Sequence, residues 1–162
     1  MGYTFLGNSC VSGWVYNGLK LKYNNPFIWH LVLDDADFLD VCRNFEHYIT
    51  QEPTFVENDE KNGRYLNHPS ISKRYPIMQL DGVNFHFIHH HDNDVVLAKF
   101  NNRVERLLTD KSELICVAWD KEIKTEAVLA EFTKLDNSIV ATNVTSQLDA
   151  ANQIIEKWKV SY

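Results

Sequence analysis

An α/β fold, with a mainly parallel or mixed sheet covered by helices on both faces of a single domain (residues 1–162), follows from three observations on the sequence. The second half alternates strand-like and helix-like segments. The strand-like segments are short and apolar, whereas the helix-like ones repeat their apolar residues at helical spacing. The chain opens on a strand, a tight turn and a helix, a unit typical of parallel sheets.

In order, Tyr3 to Leu6 is a β-prone run, Gly7-Asn8-Ser9 supply turn and cap residues, and Val11 to Leu19 places Val11, Trp14, Val15 and Leu19 on one helical face. Asn24-Asn25-Pro26 closes this unit, and Phe27 to Leu33 is a second apolar, strand-like run. Asp34-Asp35 caps a helix expected from about Ala36 to Ile49. Glu57 to Pro76 is polar and irregular, a loop long enough to suggest a functional segment. Val83, Phe85 and Phe87 alternate with Asn84, His86 and Ile88, predicting a strand that runs into His89-His90-His91-Asp92. A helix from about Asp94 to Leu108, a buried strand from Leu114 to Trp119 and a helix from Ile123 to Leu135 follow. A strand over Ser138 to Asn143 and a helix over Ser146 to Trp158 complete the chain.

Composition narrows the function classes. The chain is 44% hydrophobic and 12% aromatic, which fits a packed core rather than a disordered polymer. Its net charge of −6 and the lack of a basic stripe argue against nucleic acid as a partner. No apolar run approaches the roughly 18 residues of a membrane span, and the first residues lack a secretory pattern. With only Cys10, Cys42 and Cys116, widely spaced, neither a disulfide framework nor a cysteine-based zinc site is expected. A cytoplasmic location is therefore expected. No cofactor is expected either, and the oligomeric state is open.

Cys10 is the foremost candidate for chemistry. The first N–H groups of a helix have no intrahelical partner and carry partial positive charge, which favours a thiolate. The ordinary alternative is a cysteine packed as a small hydrophobe, the reading given to Cys42 and Cys116. His89 or His90 could take the thiol proton, His89 being preferred, with Asp92 or Asp120 orienting the imidazole. Strand-end histidines are also common as plain polar terminators. A metal site from the His86–His91 run, using His86, His90 and Asp92, is a third possibility that matches no strong spacing motif. Lys99, Arg103 and Arg106 share a helical face and could hold an anion, unless Glu105 and Asp110 simply neutralise them. Asn8 and Ser9 could present backbone N–H groups to a substrate. Trp14, Phe27 and Trp29 could line a pocket, or could be core.

Gly7-Asn8-Ser9-Cys10, Pro26-Phe27-x-Trp29, Phe87-x-His89-His90 and Arg103-x-x-Arg106 together resemble a bacterial family of papain-like cysteine peptidases of unknown substrate. Asn8-Ser9-Cys10, Tyr75-Pro76, Leu80-Asp81, Phe87-x-His89 and Arg103-x-x-Arg106 are equally similar to a family linked to exopolysaccharide biosynthesis. The likeness covers about residues 3 to 119 and departs at Phe100, where the second family usually has tryptophan. It implies a Cys10–His89 dyad in a cysteine-dependent hydrolase or transferase acting on a small-molecule or glycan substrate. A non-catalytic sugar or sugar-nucleotide binding protein is the alternative from another class.

Overall fold

The computed structural model describes residues 2–28, 31–32, 34–59, 61–63 and 74–162. In chain order the elements begin with β1 (Tyr3–Gly7), α1 (Val11–Leu19), β2 (Leu31–Val32), α2 (Asp35–Arg43), α3 (Phe45–Ile49) and β3 (Thr54–Val56). They continue with β4 (Ile77–Leu80), β5 (Val83–His86), α4 (Asn93–Asp110) and β6 (Glu113–Trp119). A 3₁₀ turn (Asp120–Glu122), α5 (Glu126–Thr133), β7 (Ser138–Ala141) and α6 (Gln147–Ser161) complete the chain.

The α/β class read from the sequence is the one found, with the strands divided between two sheets. β1, β6 and β7 form a parallel sheet in the order β1-β6-β7, with Phe5 opposite Ile115 and Val117 opposite Ile139. The other sheet is antiparallel, in the order β2-β5-β4-β3. β5 therefore leaves the parallel run expected for it. It is tied to β4 by Asp81-Gly82, whose φ angles of 46° and 78° are those of a tight hairpin turn that matches strand twist. The helix expected over 36–49 breaks at Asn44 (φ −124°, ψ 36°), whose side chain bonds back to the Asp40 carbonyl at 3.2 Å and carboxylate at 2.9 Å. Of the strand expected over 27–33, only Leu31–Val32 is extended; Phe27 lies in a turn, and Trp29, His30 and Leu33 lie outside the described residues. So do residues 60 and 64–73 of the expected loop.

Strand alternation gives the parallel sheet two apolar faces. Phe5, Ile115 and Val117 pack with Val11, Val15, Ile154 and their neighbours from α1 and α6. Leu6, Cys116 and Ala118 face the other way, toward Phe38, Phe100 and Phe132 of α2, α4 and α5 and the aromatic side of the antiparallel sheet. Helices thus cover both faces. Cys42 and Cys116 are buried in this second core, with their thiols in mutual contact. Among the described residues, no helix is long and apolar enough to cross a membrane.

β1 is the outer strand of the parallel sheet, and side chains cap its exposed edge. The Tyr16 hydroxyl accepts from the Phe5 N–H at 3.0 Å and donates to Asn24 Oδ1. Asn24 Nδ2 donates to the Tyr3 carbonyl at 3.2 Å and to Ser112 Oγ at 2.9 Å. Asn25 Nδ2 donates to the Phe5 carbonyl at 2.8 Å, and its Oδ1 accepts from the Phe27 N–H at 2.9 Å. This layer fixes the start of α1 relative to β1, and hence the position of Cys10.

Candidate functional site

The residues singled out in the sequence fall into two groups. The first lies at the carboxyl end of the parallel sheet, where ligands of such sheets commonly bind. There β1 ends at Gly7, and the chain turns through Asn8 and Ser9 into α1. Gly7 is needed for this passage. A Cβ at that position would lie 3.2 Å from Ser12 Cβ and Val117 Cγ2 and 3.3 Å from the Val117 carbonyl oxygen.

Cys10 occupies the cap position of α1, and its thiol makes no capping bond. Ser9 caps instead, its Oγ accepting from the Val11 N–H at 3.1 Å. The 3₁₀ turn after β6 brings Glu122 to the same place. Its carboxylate accepts from Gln147 Nε2 at 3.2 Å and from the Ser9 hydroxyl. Burial raises the Glu122 pKa, although the bonds from Ser9 and Gln147 oppose the rise. The Cys10 thiol is also raised, by burial first and by the Glu122 charge second. Asp120 stands two residues earlier, and its Oδ1 is buried with no partner among the described residues.

The second group lies at the junction of β5 and α4. His86 is fully buried, with Nδ1 2.9 Å from the Tyr75 hydroxyl. His89 and His91 are exposed. His90 packs edge-on against the Phe87 ring, and its Nε2 lies 3.0 Å from Lys99 Nζ. Burial, then the charges of Lys99 and Arg103, lower its pKa to about 4, so the ring is neutral at physiological pH. Asp92 caps α4, accepting from the Asp94 N–H at 2.7 Å and the Val95 N–H at 3.3 Å. The Arg103 guanidinium lies 5.8 Å from the centre of the Tyr23 ring, and Arg106 Nη1 donates to the Tyr23 carbonyl.

No hydrogen bond among the described residues joins Cys10 to His89 or His90. The thiol's charged neighbour is Glu122. Nor do His86, His90 and Asp92 converge, since each is engaged with different partners. Among the described residues, no three His, Cys, Asp or Glu side chains gather to hold a metal. Of the aromatic candidates, Phe27 and Trp14 are described, and they lie in different surroundings. Phe27 is 1% exposed and stacks on Phe85 with ring centres 4.3 Å apart, whereas Trp14 lies on the exposed side of α1. Trp29 is outside the described residues. An open cleft of about 620 Å³, lined by residues such as Cys42, Phe45, Leu107 and Leu114, contains none of the candidate catalytic or substrate-binding residues.

Glu122 and Gln147 were missed in the sequence. The available signal was positional: each follows the carboxyl end of a parallel strand, Glu122 after β6 and Gln147 after β7.

The molecule is thus an α/β protein with polar side chains gathered past the ends of its parallel strands. Residues 1–157 match the family described as "Domain of unknown function (DUF1919)", and the chain belongs to that family. A Haemophilus influenzae protein described as "Uncharacterized protein" is 28% identical over 144 residues, covering 88% of this chain and 62% of the relative. The chain therefore spans about three-fifths of that relative's length. The relationship to a bacterial family expected from the motifs holds at this level, and the family's description assigns no chemistry.

Proposed function

We propose that the chain is a cysteine-dependent hydrolase or transferase in which Cys10 attacks an acyl group and Glu122 takes the thiol proton. One observation carries this reading: a half-buried thiol lies within the field of a partly buried carboxylate that bonds to the adjoining Ser9, where β1 and β6 end. Sγ forms a bond to the acyl carbon as its proton passes to Glu122, and Glu122 returns that proton to the departing oxygen or nitrogen. Water or an acceptor hydroxyl then cleaves the thioester. The N–H groups of Ser12 and Gly13, in the first turn of α1, have no carbonyl partner within the helix and are the donors assigned to the developing oxyanion. Because the thiol pKa is raised, Cys10 rests protonated, and proton removal accompanies attack.

Glu122 takes the role that the motif resemblance gave to His89, which is exposed in this structure. The same resemblance supports an acyl-bearing or glycan substrate, in polysaccharide synthesis or at a peptide-like bond. The raised thiol pKa also favours a second reading, in which Cys10 is inert and the chain binds a sugar or sugar nucleotide without chemistry.

The test uses p-nitrophenyl acetate with wild type, Cys10→Ala and Glu122→Gln. The proposal expects an acetyl adduct that maps to Cys10 by mass spectrometry. It also expects Glu122→Gln to slow acetylation by roughly a hundredfold, the lower end of general-base contributions. An unmodified Cys10, or an unchanged rate in Glu122→Gln, would overturn it and favour the binding reading.

A further inference from the structure

Lys99, Arg103 and Arg106 lie at positions i, i+4 and i+7 of α4, on one helical face. Helical cations are commonly neutralised by nearby acids, and Glu105 and Asp110 are available on the same helix. Neither is used. Among the described residues, none of the three cations forms an ion pair, although acidic residues outnumber basic ones, 22 to 16.

The unmet demand is specific. Arg103 is partly buried, and its Nη1 is enclosed by protein with no acceptor among the described residues. The Tyr23 ring lies against the guanidinium and orients its fork. Arg106 is anchored to the Tyr23 carbonyl. His90 adds a neutral donor. Lys99 Nζ can only donate, so His90 Nε2 must accept and Nδ1 must carry the proton. That Nδ1–H is also buried, and it too has no acceptor among the described residues. Buried donors without acceptors are costly in a folded protein, and a ligand that supplies acceptors removes the cost.

We propose that Lys99, Arg103, Arg106 and His90 form a binding site for a phosphate group carried by a small ligand. A phosphate supplies three acceptor oxygens and close to two negative charges. It meets the bare donors of Arg103 and His90 together and offsets more of the cationic charge than a single carboxylate would. Tyr23 and Phe87 wall the site with aromatic surface. The site shares no residue with the Cys10 and Glu122 cluster and stands independently of the acyl-transfer reading.

The test is an NMR titration of the full chain with inorganic phosphate, following the His90 ring and the Arg103 side chain. Sodium chloride at matched ionic strength and glucuronate serve as parallel titrants. The expected result is saturable shifts at both residues with phosphate alone. Arg103→Gln should weaken the interaction roughly tenfold or more, as expected for loss of a charge-assisted bond. Lys99→Gln, on the exposed surface and so a safe second variant for folding, should weaken it severalfold. A linear or chloride-like response, saturation by glucuronate rather than phosphate, or unchanged affinity in both variants would overturn the proposal.

Discussion

The carboxyl end of the parallel sheet and the β5–α4 junction solve opposite electrostatic problems. At the sheet end the ionisable groups are acidic, and Glu122 is held by neutral donors while the Asp120 Oδ1 is a buried acceptor without a partner among the described residues. Ser9 serves both α1 and Glu122, Gln147 serves Glu122, and the result is a carboxyl and a thiol whose proton affinities are both raised. At the junction the groups are basic, and the donors of Arg103 and His90 are left without acceptors. The first arrangement is built to hold protons, and the second to receive an anion. A burial measure alone would not separate them. The difference lies in what the unpartnered atoms are: an acceptor at Asp120, donors at Arg103 and His90.

The strongest way to break the contrast is to disturb the turn that carries Cys10. Gly7→Ala places a methyl group against Ser12, Val117 and the Val117 carbonyl, contacts tighter than packed cores normally allow. The expected cost is about 1–3 kcal/mol in chemical denaturation. It should be accompanied by displaced NMR resonances around Cys10 and Glu122, with those of His90 unchanged. Shifts of equal size in both regions would show that the two are mechanically one unit.

A similar or smaller effect is expected at the side chain that links them. Tyr16 lies on the helix that starts at Cys10, bonds to Phe5 and Asn24, and is close enough to Arg103 to feel its charge. Tyr16→Phe removes the hydroxyl and strands a buried N–H and a buried amide oxygen. That costs about 1–3 kcal/mol, which denaturant unfolding would measure. No loss of stability would mean that the edge of β1 is held by Asn24 and Asn25 alone.

The sequence revealed the α/β class through Leu114–Trp119 and the helical spacing of α1, α4 and α6, because those segments meet their core with unambiguous periods. It did not reveal that β5 belongs to a different sheet. Period-2 alternation reports only that a strand has two unlike faces, not which partner pairs with its edge. The Asp81-Gly82 turn was the available clue, since Asp-Gly between apolar runs signals a hairpin. Candidate residues were legible in kind and less so in grouping. Cys10 at a helix start and the Arg103–Arg106 face could both be read from spacing. Their neighbours could not: Glu122 is 112 positions from Cys10, and Tyr23 is 80 from Arg103. Asp92 looked like a catalytic partner because a helix cap and a histidine-orienting acid have the same residue type, and only its bonds to Asp94 and Val95 tell them apart.

The mildest perturbation sharpens the comparison from the basic side. The His90 pKa is lowered from 6.5 to about 4, with burial as the first cause and Lys99, Arg103, His89 and His91 adding charge repulsion. Between those two values the unfolded chain binds a proton that the folded chain refuses. The stability contributed by neutral His90 is therefore full above about pH 6.5 and is lost as the pH falls toward 4. Lys99→Met removes one repulsive charge and leaves the burial in place. The His90 pKa, followed by NMR, should rise without regaining 6.5, and the acid loss of stability should become shallower. A full return to the ordinary value would assign the shift to Lys99 rather than to burial. An unchanged value would mean that Lys99 does not act on the ring, and with it would fall the assignment of the ring proton to Nδ1.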